Sequence, residues 1–167
     1  MHLALTGVYR ARWSAQVHDE WKRNLLLNRP DLTPEHLDRT SSLMDATVPD
    51  ALVTDYDSLV EGLDLPDRDD RHVLAAAIKC NASVIVTFNL KDFPKAVLGA
   101  FDIEPLHPDD FIADLWDLDK AAVLEAAQRQ RISLKNPPHN VQQYLDRLLQ
   151  QKLPETVKLL SAFKFLL

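Results

Sequence analysis

The run from Leu65 to Pro94 restricts the possible folds of this chain more than any other stretch. It opens with Leu65-Pro66-Asp67-Arg68-Asp69-Asp70-Arg71-His72-Val73 and continues through an alanine-rich segment to Cys80. It closes with Ser83-Val84-Ile85-Val86-Thr87-Phe88-Asn89-Leu90-Lys91-Asp92-Phe93-Pro94. Pro66 prevents a helix from entering from upstream, and Asp69 is placed to cap the helix that follows. Asp70 then falls in the first turn, where the helix dipole favours negative charge. Asn81 tolerates the left-handed backbone and is the expected stop. Ser83 to Thr87 is short, apolar and β-branched, which predicts a buried parallel strand. Thr87, Asn89 and Asp92 stand at its carboxyl end, where open α/β sheets gather their ligands. An acidic helix start and a polar strand end are therefore expected to face one cleft.

Around this centre the chain reads as helix, strand, three helices, strand, helix, strand, helix. Met1 to Leu5 resembles the back half of a helix stopped by Gly7, and Val8 to Trp13 alternates like a short edge strand. Ser14 caps a helix to about Asn28, with Val17, Trp21 and Leu25 on the buried stripe and Glu20, Arg23 and Asn24 on a neighbouring face. Thr33-Pro34-Glu35 starts a helix through about Ala46. Short helices are expected at Asp50–Val53 and Tyr56–Val60, then at Pro94–Leu98. Phe101 to Leu106 alternates as a strand ended by Pro105, and a helix runs from His107 to about Trp116. This alternation predicts a three-layer α/β/α sandwich around a parallel sheet. From residue 118 onward three amphipathic helices (119–133, 141–152 and 154–165) form a helical appendix. The domain reading is 1–117 and 118–167.

With 167 residues the chain can bury a sizeable core, and its 46% apolar and 26% charged residues are ordinary for a soluble protein. No apolar run is long enough to cross a bilayer, so no membrane role is expected. The start lacks the basic flank and cleavage site of a signal peptide. The single cysteine, Cys80, excludes an internal disulfide, reads as a small buried hydrophobe, and fits a reducing, cytoplasmic setting. A net charge of −6 excludes a generally basic nucleic-acid binder but not an acidic metal-dependent nuclease.

Taken alone, several of the polar residues have ordinary explanations. Asp69 and Asp70 can serve as helix caps, Glu20 as a solvated charge, and Asn89 and Asp92 as turn residues. Arg68 and Arg71 balance the acidic pair. His72 reads as structural, the six histidines do not cluster at zinc-ligand spacing, and three glycines cannot build a phosphate loop. Trp13, Trp21 and Trp116 read as core.

At Asp-Asp-Arg-His-Val-Leu-Ala-Ala-Ala and Val-Ile-Val-Thr-Phe-Asn-Leu-Lys-Asp-Phe-Pro the sequence resembles the PIN-domain family, and in particular the VapC-type toxins of toxin–antitoxin pairs. The resemblance extends upstream through Arg12-Trp13-Ser14, Glu20-Trp21 and Arg23-Asn24-Leu25, and downstream to Leu134-Lys135-Asn136-Pro137-Pro138. It implies a Mg²⁺- or Mn²⁺-dependent endoribonuclease cutting tRNA- or rRNA-class substrates, with a cognate antitoxin protein that occludes the site. Glu20, Asp70 and Asp92 are implied as catalytic, and Glu20, Asp69 or Asp70, and Asp92 as metal ligands. Arg23, Asn24, Thr87 and Asn89 are the candidate substrate-positioning residues, Arg23 reading equally as a plain surface charge.

The family begins with a strand ending in a metal-binding aspartate, which this sequence lacks. The expectation is therefore an N-terminally truncated domain with weakened metal binding and an exposed sheet edge that favours a homodimer. A second reading is a catalytically impaired remnant that only binds its antitoxin, through a groove built by residues 15–46.

Overall fold

The computed structural model describes residues 2–167, and its chain divides into two compact units. One comprises residues 10–85 and 89–105; the other comprises residues 1–9, 86–88 and 106–167. Met1, at the head of the expected first helix, lies outside the described residues. From Leu3 to Leu5 the chain makes a 3₁₀ turn.

In the first unit, β1 (Trp13–Ser14) pairs in parallel with β2 (Leu52–Val53), in the register Trp13 to Leu52 and Ser14 to Val53. The strand expected over Val8–Trp13 is thus confined to its last residue and Ser14. Val8 and Tyr9 belong to the other unit, where Tyr9 packs edge-on against Phe111 with ring centroids 5.0 Å apart. Asp50–Val53 is not helical as expected, because Asp50 adopts a left-handed φ of 59° and Asp55 does the same, bracketing β2.

Helix α1 (Ala15–Asn28) begins where Ser14 Oγ accepts from the Val17 amide at 3.3 Å. Its stripe is shallower than expected: His18 is the buried residue, Val17 and Trp21 are half-buried, and Leu25 is exposed. Helix α2 (Pro34–Thr47) starts at the expected Thr33 cap. Asp45 of α2 ties the two helices together, its Oδ1 accepting from Trp13 Nε1 at 2.6 Å and lying 3.0 Å from His18 Nε2. Trp21 Nε1 donates to His18 Nδ1 at 2.9 Å, so the His18 proton sits on Nε2 and points at Asp45. Trp13 and Trp21 are accordingly half-buried residues with satisfied indole N–H groups rather than core, whereas Trp116 is buried as expected.

After α3 (Asp57–Val60) comes the alanine-rich helix α4 (Arg71–Lys79), whose Leu74 and Ala75 are fully buried. It ends as expected at Asn81, with a left-handed φ of 52° and a bond from the Ala82 amide to the Ala77 carbonyl at 2.9 Å. Cys80 is half-buried, packed beside Val53 and Tyr56. A cluster around Leu65, Leu74, Ile85, Phe93, Leu98 and Ile103 forms this unit's core with α5 (Lys95–Leu98).

Strands β3 (Val84–Val86) and β4 (Glu104–Leu106) make a second two-stranded sheet. The Glu104 amide donates to Ser83 and the Thr87 amide to Leu106, so the bonds advance together along both segments, as in a parallel pair. β3 is less buried than expected: Ile85 is covered, but Val86 is exposed. Among the described residues the strands form two separate pairs rather than one continuous sheet.

The second unit is helical, with α6 (Pro108–Leu118), α7 (Lys120–Ser133), α8 (Val141–Gln150) and α9 (Pro154–Ser161). Leu115, Trp116, Val123, Tyr144, Leu145 and Leu160 lie in its core. Thus α6, assigned from sequence to the α/β part, packs with the tail helices. Helix α9 ends at Ser161, earlier than expected, and the chain then makes a 3₁₀ turn at Lys164–Leu166. No helix among the described residues is long and apolar enough to cross a membrane.

Candidate metal centre

The turn ahead of α4 presents its acids differently from a simple cap. Neither Asp69 nor Asp70 caps the helix with its side chain; Asp70 occupies the cap position in helical backbone geometry with no side-chain bond to the first turn. The turn is closed by its own backbone, the Asp70 amide bonding to the Asp67 carbonyl at 3.3 Å. The Asp69 amide donates to Asp67 Oδ1 at 2.9 Å, which fixes the Asp67 carboxylate. The Asp70 carboxylate is therefore not consumed by capping.

Asp92 comes from the other side, on the 3₁₀ turn Leu90–Asp92 that follows β3. Asn89 Nδ2 donates to Asp92 Oδ2. Carboxylate oxygens of Asp67, Asp70 and Asp92 all lie within 4.8 Å of one another. Burial, then the charges of Asp67, Asp92 and Glu20, push the Asp70 carboxyl above the ordinary aspartate range, while His72 acts in the opposite sense. Three converging oxygen ligands of like charge form a donor set suited to a hard divalent cation. The residues present fit such an ion.

Glu20, on α1, is not within the closest carboxylate group, but its charge is felt at Asp70. Its Oε1 accepts from His72 Nε2 at 2.7 Å. His72 is 4% exposed, and its Nδ1 is buried with no hydrogen-bond partner among the described residues.

The geometry thus brings Asp70 and Asp92 together, sets Glu20 beside them, and leaves Asp69 exposed in the turn. Arg23 and Asn24 are exposed on α1, where the Asn24 carbonyl accepts from Asn28 Nδ2 at 2.8 Å. Thr87 belongs to the other unit. Sequence reasoning missed Asp67, although its spacing of three from Asp70 across a proline-led turn was a usable signal. It also missed the link from His72 to Glu20.

A parallel-stranded, helix-rich fold with carboxylates gathered at a strand end and a helix start defines a class of acidic-site α/β proteins. This chain belongs to the PIN-domain family: the family profile described as PIN domain matches residues 1–91, and the one described as VapC50 C-terminal domain matches residues 108–162. The first match holds Glu20, Asp67 and Asp70 and stops one residue short of Asp92. The chain is also 44% identical over 82 residues to the Mycobacterium tuberculosis (strain ATCC 25618 / H37Rv) protein named "Putative ribonuclease VapC50". That alignment covers 49% of this chain and 48% of the relative, so the chain matches about half the relative's length. No solved structure matches it.

Proposed function

We propose that this chain is a divalent-metal-dependent endoribonuclease, the toxin member of a toxin–antitoxin pair. The carrying observation is the convergence of Asp67, Asp70 and Asp92 within 4.8 Å in a chain of the PIN-domain family. The ribonuclease name of the mycobacterial relative supports the same reading. Asp67, Asp70 and Asp92 would hold Mg²⁺ or Mn²⁺, with Glu20 beside them and Asp69 securing Asp67. Once bound, the cation would neutralise charge on the scissile phosphate and acidify a water.

The protein's own groups do the positioning. Asn89 orients the Asp92 carboxylate, and His72 orients that of Glu20. Arg23 and Asn24 are exposed on α1 and available to an RNA backbone, with Asn89 as a further positioning residue. The substrate is RNA of the tRNA or rRNA class, met in the cytoplasm.

We take the frame of the site to be the family's three-layer sandwich, residues 1–117, with 118–167 as its helical extension. The parallel pairing of β1 with β2 supports it. A cognate antitoxin would cover the α1–α2 face, where Leu27 is 76% and Leu43 is 56% exposed. Self-association into a homodimer belongs to the same reading.

The test is isothermal titration of Mn²⁺ together with an RNA cleavage assay, on the parent and on Asp70→Asn. Metal binding and metal-dependent cleavage that the variant loses would support the reading. A parent that binds no Mn²⁺ and cuts no RNA would overturn it.

A further inference from the structure

Charge is divided unevenly along the chain. Residues 118–167 hold eight Lys and Arg against four Asp and Glu, a net of +4, whereas residues 1–117 hold eleven against twenty-one, a net of −10. A polyanion is repelled by the longer segment and attracted by the shorter one.

Within the helical segment a cleft of about 540 Å³ lies between the Pro137–His139 loop and α8, with Gln143, Arg147 and Gln151 on its helical wall. That volume falls in the range of clefts that hold small organic groups. Lys135 forms an antiparallel backbone bridge with the lining residue Pro138, which sets it next to the loop wall. Lys152 follows the lining residue Gln151 in the sequence, its backbone in a left-handed turn with φ 62°.

These three cations differ from the others in the segment. Lys135, Arg147 and Lys152 are exposed, and none has a side-chain hydrogen bond or ion pair among the described residues. The remaining cations are engaged. Arg131 donates to the Leu167 and His139 carbonyls. Arg129 pairs with Glu125, and Lys158 with Glu155. Lys164 donates to Gln142, and Lys120 lies over the Trp116 and Phe163 rings. The one carboxylate lining the cleft, Asp146, already accepts from Gln142 at 2.7 Å.

We infer that this cleft binds the phosphate backbone of a single-stranded stretch of the RNA substrate, through Lys135, Arg147 and Lys152. Gln151 and His139 offer polar edges to the sugar and bases. The helical extension then supplies the affinity that the acidic part of the chain cannot. This inference rests on the ribonuclease reading above.

The test is fluorescence anisotropy of a labelled single-stranded RNA titrated with the full chain in EDTA, across a salt series. The triple variant Lys135→Gln/Arg147→Gln/Lys152→Gln is compared with Lys79→Gln/Lys95→Gln/Lys158→Gln, which changes net charge equally but away from the cleft. Each backbone contact on a single strand adds about 0.7 to the log–log salt slope, so the first variant should lower the slope by about two and weaken binding roughly fifty-fold near 0.15 M salt. The control should stay within a few-fold of the parent.

Equal weakening in both variants would mean that only net charge matters and would overturn the inference. A parent that binds and cuts RNA, with the cleft variant unchanged, would overturn it while leaving the ribonuclease reading intact. A parent that neither binds nor cuts RNA would overturn both. RNA binding unchanged, with loss of binding to a polyglutamate peptide, would assign the cleft to an acidic protein segment instead.

Discussion

His72 Nε2 lies 2.7 Å from Glu20 Oε1, and the carboxylate is the only hydrogen-bond partner of this buried ring among the described residues. A carboxylate oxygen can only accept, so Nε2 is the donor. Glu20→Ala would leave the ring with no partner at either nitrogen and should cost about 1–3 kcal/mol in urea denaturation. Glu20→Gln keeps an acceptor and should cost clearly less. Equal stabilities for the two variants would mean that the contact does not hold α1 to α4.

The three aspartates make an opposite prediction for metal-free and metal-loaded protein. Without a cation their mutual repulsion opposes folding, so Asp70→Asn should raise the Tm in EDTA. With Mn²⁺ at about a hundred times Kd, the parent should gain about 2.7 kcal/mol, a gain the variant should largely lose. Differential scanning calorimetry with and without the ion reads both effects; identical Mn²⁺ shifts in the two proteins would remove Asp70 from the site.

Asp109 sets an acid limit on the helical unit. Burial works to raise its carboxyl, but bonds from Thr156 Oγ1 at 2.7 Å and from the Thr156 and Glu155 amides, both at 2.8 Å, outweigh it and hold the group below the ordinary value of 3.8. A depressed carboxyl contributes stability that is complete above its unfolded value and lost as pH falls through its folded one. Unfolding followed from pH 6 down should therefore show a loss below about pH 4 that is smaller in Asp109→Asn. A variant with the parent's acid profile would contradict this.

Asp45 is the hub of the α1–α2 pair. Burial works to raise its carboxyl, but bonds from His18 and Trp13 prevail and lower it. Asp45→Ala strips acceptors from two donors and should cost about 1–3 kcal/mol, with a change in tryptophan emission as Trp13 loses its partner. Unaltered emission and stability would place the hairpin's strength elsewhere.

Local chemistry was readable and long-range chemistry was not. Ser14, Thr33 and Asn81 act within a few residues of themselves, and each starts or stops its helix as its side chain predicts. Asp69 and Asp70 looked like caps because the spacing is right, yet the closed backbone turn left the Asp70 carboxylate to meet Asp92 and brought the exposed Asp67 carboxylate beside them. The pairing of Asp70 with Asp92 follows the family pattern, whereas Asp67 joins them through the backbone turn after Pro66, for which its spacing of three from Asp70 was the one local signal. The His72–Glu20 contact joins residues 52 positions apart, which periodicity within either helix cannot reveal. The strands were over-read because apolar residues such as Val8 and Tyr9 found helices to pack against instead of a sheet.

The first turn of α9 has no local capping side chain at Leu153; its exposed amides are answered by Asp109, 46 and 47 residues earlier. This last helix is therefore conditional on α6 already being in place. The segment from Pro154 onward can close only once Asp109 and α6 are in place, and until then its backbone stays open to proteases. Protease resistance of Pro154–Ser161 thus reports that the helical unit has assembled.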